Sequence, residues 1–285
     1  MGEMLADRAE LWVSLLTDTD HLGATSARVS PDAPSPPLHV HDRHADCFLV
    51  LGGAIRVELE NEQRIVEPQS WIQVPRGVVH TFGTAGDEPA RFVNVHTPSC
   101  GLGTYMRGLM VARDDGDRRR VWQDFDARPA SEGGLDPTTV VVCRLGGREG
   151  ETITDRPGRR VTLLSDTDEL GVTESVYGPG ERGPDEHVHR EHTDAWLLLA
   201  GSLVFRLRDG ITLEAPAGTL VVVPPNVAHG FANESDVTTR FLNIHAPSCG
   251  FGEYLRGRNP EFDQHDPPAD GGADPNSVLI RAFEL

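Results

Sequence analysis

The sequence carries the string His39-Val40-His41-Asp42-Arg43-His44-Ala45-Asp46 and, 148 positions on (39 to 187), His187-Val188-His189-Arg190-Glu191-His192-Thr193-Asp194. In an extended chain, side chains two residues apart share a face, so each His-x-His pair aims two imidazoles at one point. Imidazole is a borderline ligand suited to iron, nickel, copper, zinc or manganese, and a nearby carboxylate adds a hard oxygen. A third histidine follows in each half, in Pro75-Arg76-Gly77-Val78-Val79-His80 and in Pro224-Pro225-Asn226-Val227-Ala228-His229. Gly and Asn tolerate the positive φ of such a turn, which then directs His80 and His229 back toward the first pair. A lone buried histidine is more often a packed core residue than a ligand. Here, however, the positions recur in pairs (39/187, 41/189, 44/192, 80/229, 96/245), which scattered core histidines would not do.

The elements that must hold these side chains also repeat. Leu15-Leu16-Thr17-Asp18-Thr19-Asp20 matches Leu163-Leu164-Ser165-Asp166-Thr167-Asp168, and Arg91-Phe92-Val93-Asn94-Val95-His96 matches Arg240-Phe241-Leu242-Asn243-Ile244-His245, so the chain is an internal duplication. Within a half, short β-rich runs at 47–51, 54–59, 71–74 and 91–96 alternate with Gly, Pro and Asp clusters, the signature of an all-β sandwich or barrel. Helical stretches at 105–111 and 254–258 follow the last strand of each half and are expected to cap it. Residues 136–144 read as a strand leading into the second half, with a copy at 274–285. That copy is expected to return and complete the first barrel, which closes the halves into a pseudo-twofold pair of domains, 1–135 and 136–285.

Composition narrows the function. The 26 basic and 44 acidic residues leave a net charge of −18, which argues against nucleic acid or anionic membrane as a partner. All the basic residues are arginine, which excludes Schiff-base chemistry, a pyridoxal-phosphate anchor and a P-loop lysine. Arg118-Arg119-Arg120, preceded by Asp114, Asp115 and Asp117, reads as a solvated surface loop. Cys47, Cys100, Cys143 and Cys249 form no Cys-x-x-Cys pair and fit buried thiols in a reducing compartment. No apolar run approaches the ~20 residues of a membrane span, and the amino terminus has no basic stretch before a hydrophobic core. A cytoplasmic protein, a monomer or a homodimer, is expected.

These residues resemble the cupin superfamily, and the chain as a whole looks like a bicupin. The family's first motif is a glycine, then His-x-His, three or four residues, Glu and a later glycine; Gly53 and Gly201 stand seven after Asp46 and Asp194. Its second motif, Pro-x-Gly-x-x-His-x-x-x-Asn, resembles Pro75 to His80 with Thr84 and Pro224 to His229 with Asn233. Within the family the chain is most similar to quercetin-2,3-dioxygenase-like cupins, through Pro98-Ser99-Cys100-Gly101-Leu102-Gly103 and Pro247-Ser248-Cys249-Gly250-Phe251-Gly252. The resemblance implies an all-β fold of two tandem double-stranded β-helix (jelly-roll) barrels with short capping helices. It also implies one divalent metal per barrel, iron(II) first, with nickel, manganese, cobalt or zinc as alternatives.

Both halves depart from the family by carrying aspartate where it has glutamate, which shortens the carboxylate's reach. The expected metal ligands are His39, His41, Asp46 and His80 in the first half and His187, His189, Asp194 and His229 in the second. His44 and His192 are alternatives for the fourth place or hydrogen-bonding residues behind it. Counting by twos along the strands places Phe48 and Phe82, and Trp196 and Phe231, beside the ligands as walls of an apolar substrate pocket, with core packing as the competing role. The reading is a dioxygenase acting with O₂ on an aromatic or enolisable small molecule, in which Asp46 or Asp194 completes the metal shell or takes the substrate proton. Burial is expected to raise the carboxyl pKa toward that task. A metal-dependent isomerase, cyclase or lyase without O₂ and a non-catalytic small-molecule binder are the alternatives.

Overall fold

The structure is a computed structural model that describes residues 2–285, apart from the side chain of Asp115. The chain forms two compact units that divide between Gly147 and Arg148. In the first, a seven-stranded sheet runs in the order Glu3–Asp7, Leu11–Asp18, Gly23–Val29, Ala90–Thr97, Ala45–Gly52, Ser70–Val74, Val141–Arg144. A five-stranded sheet runs Arg128–Pro129, His39–Val40, His80–Ala85, Ala54–Leu59, Gln63–Val66. The second unit repeats the seven-stranded sheet, from Glu151–Arg156 through Thr193–Ala200 to Leu279–Ala282, and pairs it with a three-stranded sheet of Thr212–Pro216, Ser202–Leu207 and His229–Ala232.

Side-chain alternation explains which strand lies where. In Ala54–Leu59 every second residue is buried: Ile55, Val57 and Leu59 face inward, while Arg56 and Glu58 pair across 2.7 Å on the outer face. Ala45–Gly52 is buried along its whole length, as suits a near-continuous apolar run in the middle of a sheet. Phe48, Ile55, Val57, Ile72, Val74 and Phe92 make the first core. Trp196, Phe205, Val221, Phe231 and Phe241 belong to the second.

The expected strand exchange between halves does not occur. Val141–Arg144 pairs with Ser70–Val74 of its own half, Cys143 opposite Trp71, and Leu279–Ala282 pairs with Thr219–Val223 of the second half. Each copy of the segment closes the sheet that precedes it, so the segment at 136–144 belongs to the first unit and the boundary falls after it. The reading of residues 114–120 as a loop is also corrected. Asp115–Asp124 is a helix whose N-cap, Asp114, accepts a hydrogen bond from the Asp117 N–H, satisfying a donor that a helix start otherwise leaves unpaired. We name it α2; α1 is Leu102–Val111 and α3 is Phe251–Leu255. Among the described residues, no helix is long and apolar enough to cross a membrane.

Deleting residues 279–285 removes the edge strand of the second sheet. The deletion is expected to lower the thermal transition of the second unit while leaving the metal content of the first at the wild-type value. Scanning calorimetry with metal analysis checks this, and loss of metal from the first unit would contradict it.

Candidate metal centres

The three histidines of each half converge as their turns require. His39 pairs across the sheet with His80, and His187 exchanges main-chain hydrogen bonds of 3.0 and 2.9 Å with His229. The Pro-x-(Gly or Asn) turn is tied to the His-x-His segment directly, since the Gly77 N–H donates to the His41 carbonyl and the Asn226 N–H to the His189 carbonyl, each at 2.6 Å. Gly77 has φ 81° and Asn226 φ 65°, the left-handed conformation that selects these two residues.

Every one of these six imidazoles is held by its Nδ1. His39 donates to the Pro37 carbonyl at 2.8 Å, His80 to Val78 at 2.9 Å, His187 to Asp185 at 2.7 Å and His229 to Val227 at 2.9 Å. His41 and His189 donate to the carbonyls of Asp126 and Asp263. A carbonyl can only accept, so Nδ1 carries the hydrogen and the Nε2 of each neutral ring is left with its lone pair. Those lone pairs point at one another: His39 and His41 Nε2 are 3.0 Å apart, and His187 and His189 Nε2 are 3.2 Å apart. His229 Nε2 is buried with no hydrogen-bond partner. Facing lone pairs in a dry site are unfavourable unless a cation lies between them, so the donor set fits a metal ion.

The ligand atoms of His187, His189, Asp194 and His229 lie within 4.8 Å of one another, as do those of His39, His41 and His80. Asp46 stands slightly apart from its histidines: its Oδ2 is 3.3 Å from His80 Nε2, while its Oδ1 is 3.3 Å from His96 Nε2 and accepts from the Asn94 side-chain amide. Asp194 Oδ2 lies 3.5 Å from both His189 and His229, and its Oδ1 accepts from Asn243. The expectation that burial raises the aspartates is reversed. Burial does push Asp46 up, but His96 and His80 outweigh it and hold the carboxyl well below the usual range; His245 and His189 do the same for Asp194.

His44 and His192 lie beside the candidate ligands, and the His44 Nε2 is buried without a hydrogen-bond partner. The Nδ1 of His44 lies 2.8 Å from Asp126 Oδ2 and its ring stacks on His41 with centroids 4.0 Å apart. His192 Nδ1 is 2.9 Å from Asp263 Oδ2, and its Nε2 is hydrogen-bonded to His245 Nδ1 at 2.8 Å, so that nitrogen is engaged. Asp126 and Asp263 are the residues sequence reasoning missed. Each carboxylate also accepts main-chain N–H bonds from the turn inside the string, at Arg43 (2.7 Å) and Glu191 (2.7 Å). The signal was present in the shared Phe125-Asp126 and Phe262-Asp263, but α2 lies between Cys100 and the first pair and breaks the regular repeat spacing.

Of the expected pocket walls, Phe82 lines a cavity of about 790 Å³ in the first unit whose floor includes His39, His41, Asp46 and His96. Phe48 does not reach it; it is fully buried beneath Phe82, with ring centroids 4.7 Å apart. Trp196 and Phe231 are core residues that pack on each other at 5.3 Å. The cavity's other walls are mainly apolar, with Val13, Val29, Phe92, Met106 and Trp122 among them.

Two sets of three histidines with an adjoining aspartate, each on a β-sheet domain, give the protein two groups of side chains that could hold a metal ion. The cupin-domain family matches residues 26–96 and 173–245, and the chain belongs to that family. It is similar to quercetin 2,3-dioxygenase of Bacillus subtilis (strain 168), 24% identical over 257 residues, 80% of this chain and 74% of the relative. Solved structures of oxalate decarboxylase share the fold: that of Bacillus subtilis with TM-score 0.57 and 18% identity, over 85% of this chain and 74% of that one, and that of Lactobacillus farciminis, in its formate complex, with TM-score 0.59 and 15% identity, over 86% and 84%.

Two outcomes are expected. Asp126→Ala removes the acceptor behind His44 and the turn, and is expected to weaken metal binding in the first unit roughly 10–100-fold while sparing the second; competition with a chelator reads this. Burial, with the neighbouring His80, holds His39 down to about 4, and burial with His229 holds His187 down to about 3, against 6.5 for free imidazole. Between 6.5 and those values the unfolded chain binds protons that the folded chain refuses, so the metal-free protein should lose stability as pH falls from about 6.5 to 4. Denaturant midpoints in chelator at several pH values check it, and His39→Gln should flatten the slope.

Proposed function

We propose that the chain is a metal-dependent dioxygenase that acts on an aromatic or enolisable organic small molecule. The observation that carries this reading is the cavity of about 790 Å³, apolar along its walls and ending on His39, His41 and Asp46. That volume and lining suit a drug-sized organic ligand held by shape, with a few polar groups fixing its orientation. Oxalate, a two-carbon dianion, would gain nothing from Val13, Val29, Phe92 or Trp122. The apolar walls therefore favour the quercetin dioxygenase side of the likeness over the oxalate decarboxylase side.

His39, His41 and His80 would hold the ion in the first domain, and His187, His189, Asp194 and His229 in the second. A divalent ion there supplies Lewis acidity toward a substrate oxygen and, when redox-active, electron transfer with O₂. Iron(II) is the first choice; manganese is the second, since the Bacillus subtilis oxalate decarboxylase has Mn(II) centres. Asp46, kept ionised by His96 and His80 against the effect of burial, would accept a hydrogen bond from a substrate hydroxyl at the cavity floor, and the Asn94 amide fixes the carboxylate there. The apolar walls exclude water and press the substrate ring toward the floor. A lyase or isomerase that uses the same ion without O₂ is the second reading, supported by the oxalate decarboxylase fold.

His41→Ala and His189→Ala are each expected to lose one metal equivalent by elemental analysis. Substrate-dependent O₂ uptake with quercetin and other hydroxylated aromatics is expected in the wild type and absent in His41→Ala. Turnover of such a compound without O₂ uptake would leave the lyase or isomerase reading instead.

A further inference from the structure

The two halves are copies at their metal centres and differ above them. The residues that line the first cavity at positions 11, 29 and 33 are Leu11, Val29 and Ala33. Their counterparts 148 positions on are Arg159, Tyr177 and Glu181. The correspondence follows from strand register, since Leu11 pairs with Val29 as Arg159 pairs with Tyr177. In the second domain these three side chains lock together. The Arg159 guanidinium lies 4.6 Å above the Tyr177 ring, and its Nη1 is 3.4 Å from Glu181 Oε1. Tyr177 is 2% exposed and packs edge-on to Phe241 at 5.1 Å. A further exchange, Phe48 for Trp196, adds volume beneath. An aromatic ring capped by a cation and held by an ion pair thus stands where the first domain leaves room for a ligand.

A second difference lies over the mouth. The first domain inserts α2 after α1, and Trp122 of α2 lines the cavity with its ring 5.3 Å from that of His39. Tyr105 of α1 stacks on Phe125 at 4.1 Å and also lines it, a stack the second domain keeps in Tyr254 on Phe262 at 4.6 Å, so the difference lies in α2 and its Trp122. In the second domain α3 ends at Leu255.

We propose that organic substrate binds only in the first domain, under α1 and α2, and that Arg159, Tyr177 and Glu181 form a built-in plug that restricts the second centre to ligands far smaller than an aromatic ring system. The proposal rests on the reading of the first cavity as the substrate site and adds which centre works and what selects it.

The test is anaerobic titration of the metal-loaded full chain with quercetin, followed by calorimetry, with metal content measured on the same samples. The wild type is expected to bind one equivalent. Leu11→Arg with Val29→Tyr and Ala33→Glu should build the plug in the first domain and weaken binding at least tenfold. Met106→Trp fills the same cavity from α1 and should do likewise, which guards against a triple variant that fails to fold. Arg159→Leu with Tyr177→Val and Glu181→Ala should raise the stoichiometry toward two. Two equivalents in the wild type, undiminished binding in both filled variants, or no binding by any form overturns the proposal. Metal content distinguishes the failures: two ions bound with two quercetin equivalents sinks the plug alone, whereas metal missing from wild type sinks the reading of the centres.

Discussion

Six imidazoles converge on two points in this molecule, and each gives its Nδ1 hydrogen to a main-chain carbonyl. That one constraint fixes the tautomer, the ring orientation and the nitrogen that remains available. It also explains the demands on the surrounding chain. Four of the acceptors lie two residues before their own histidine, so the local extended backbone supplies them at no topological cost. The acceptors for His41 and His189 come from Asp126 and Asp263, more than seventy residues away, and those must be brought in by the fold.

Asp126 and Asp263 therefore do two things at once. The main-chain carbonyl orients one ligand, and the carboxylate gathers the turn of the eight-residue string and the histidine within it, at 2.8 Å for His44 and 2.9 Å for His192. A buried carboxylate is costly unless its lone pairs are filled, and these are filled by the turn's own N–H groups. The same logic governs Asp46 and Asp194, whose charge is sustained by a side-chain amide and by imidazoles on neighbouring strands. Each centre is thus a network in which every buried charge has been given partners, and the carboxylates stay ionised despite full burial.

Duplication preserved that network and let its surroundings diverge. Leu11, Val29 and Ala33 correspond in sequence to Arg159, Tyr177 and Glu181, and among the described residues α2 of the first half has no counterpart after α3. Changes of this kind do not disturb a ligand set held from the back by main-chain carbonyls.

The repeated string, the later histidine and the positive-φ turn residues were legible in the sequence, as were most strands, because each depends on local periodicity or on the conformational range of Gly and Asn. The pairing of the terminal strands was not: residues 136–144 and 274–285 look alike, and only the hydrogen-bonded edges of the folded sheets decide that each closes its own half. Helix α2 was hidden by a run of charges whose capping aspartate is a weak signal beside its solvated composition. The aspartates' ionisation could not be read from residue type, since burial and nearby imidazoles push in opposite directions and only distances settle the balance. By itself the sequence determined that this protein has two histidine-rich centres on β-sheet domains, because ligand identity and i, i+2 spacing are properties of the chain. The tertiary structure alone decided which carboxylate stands behind each histidine and which side chains gather as walls of the first cavity, because those depend on residues distant in sequence that meet only when the sheets close.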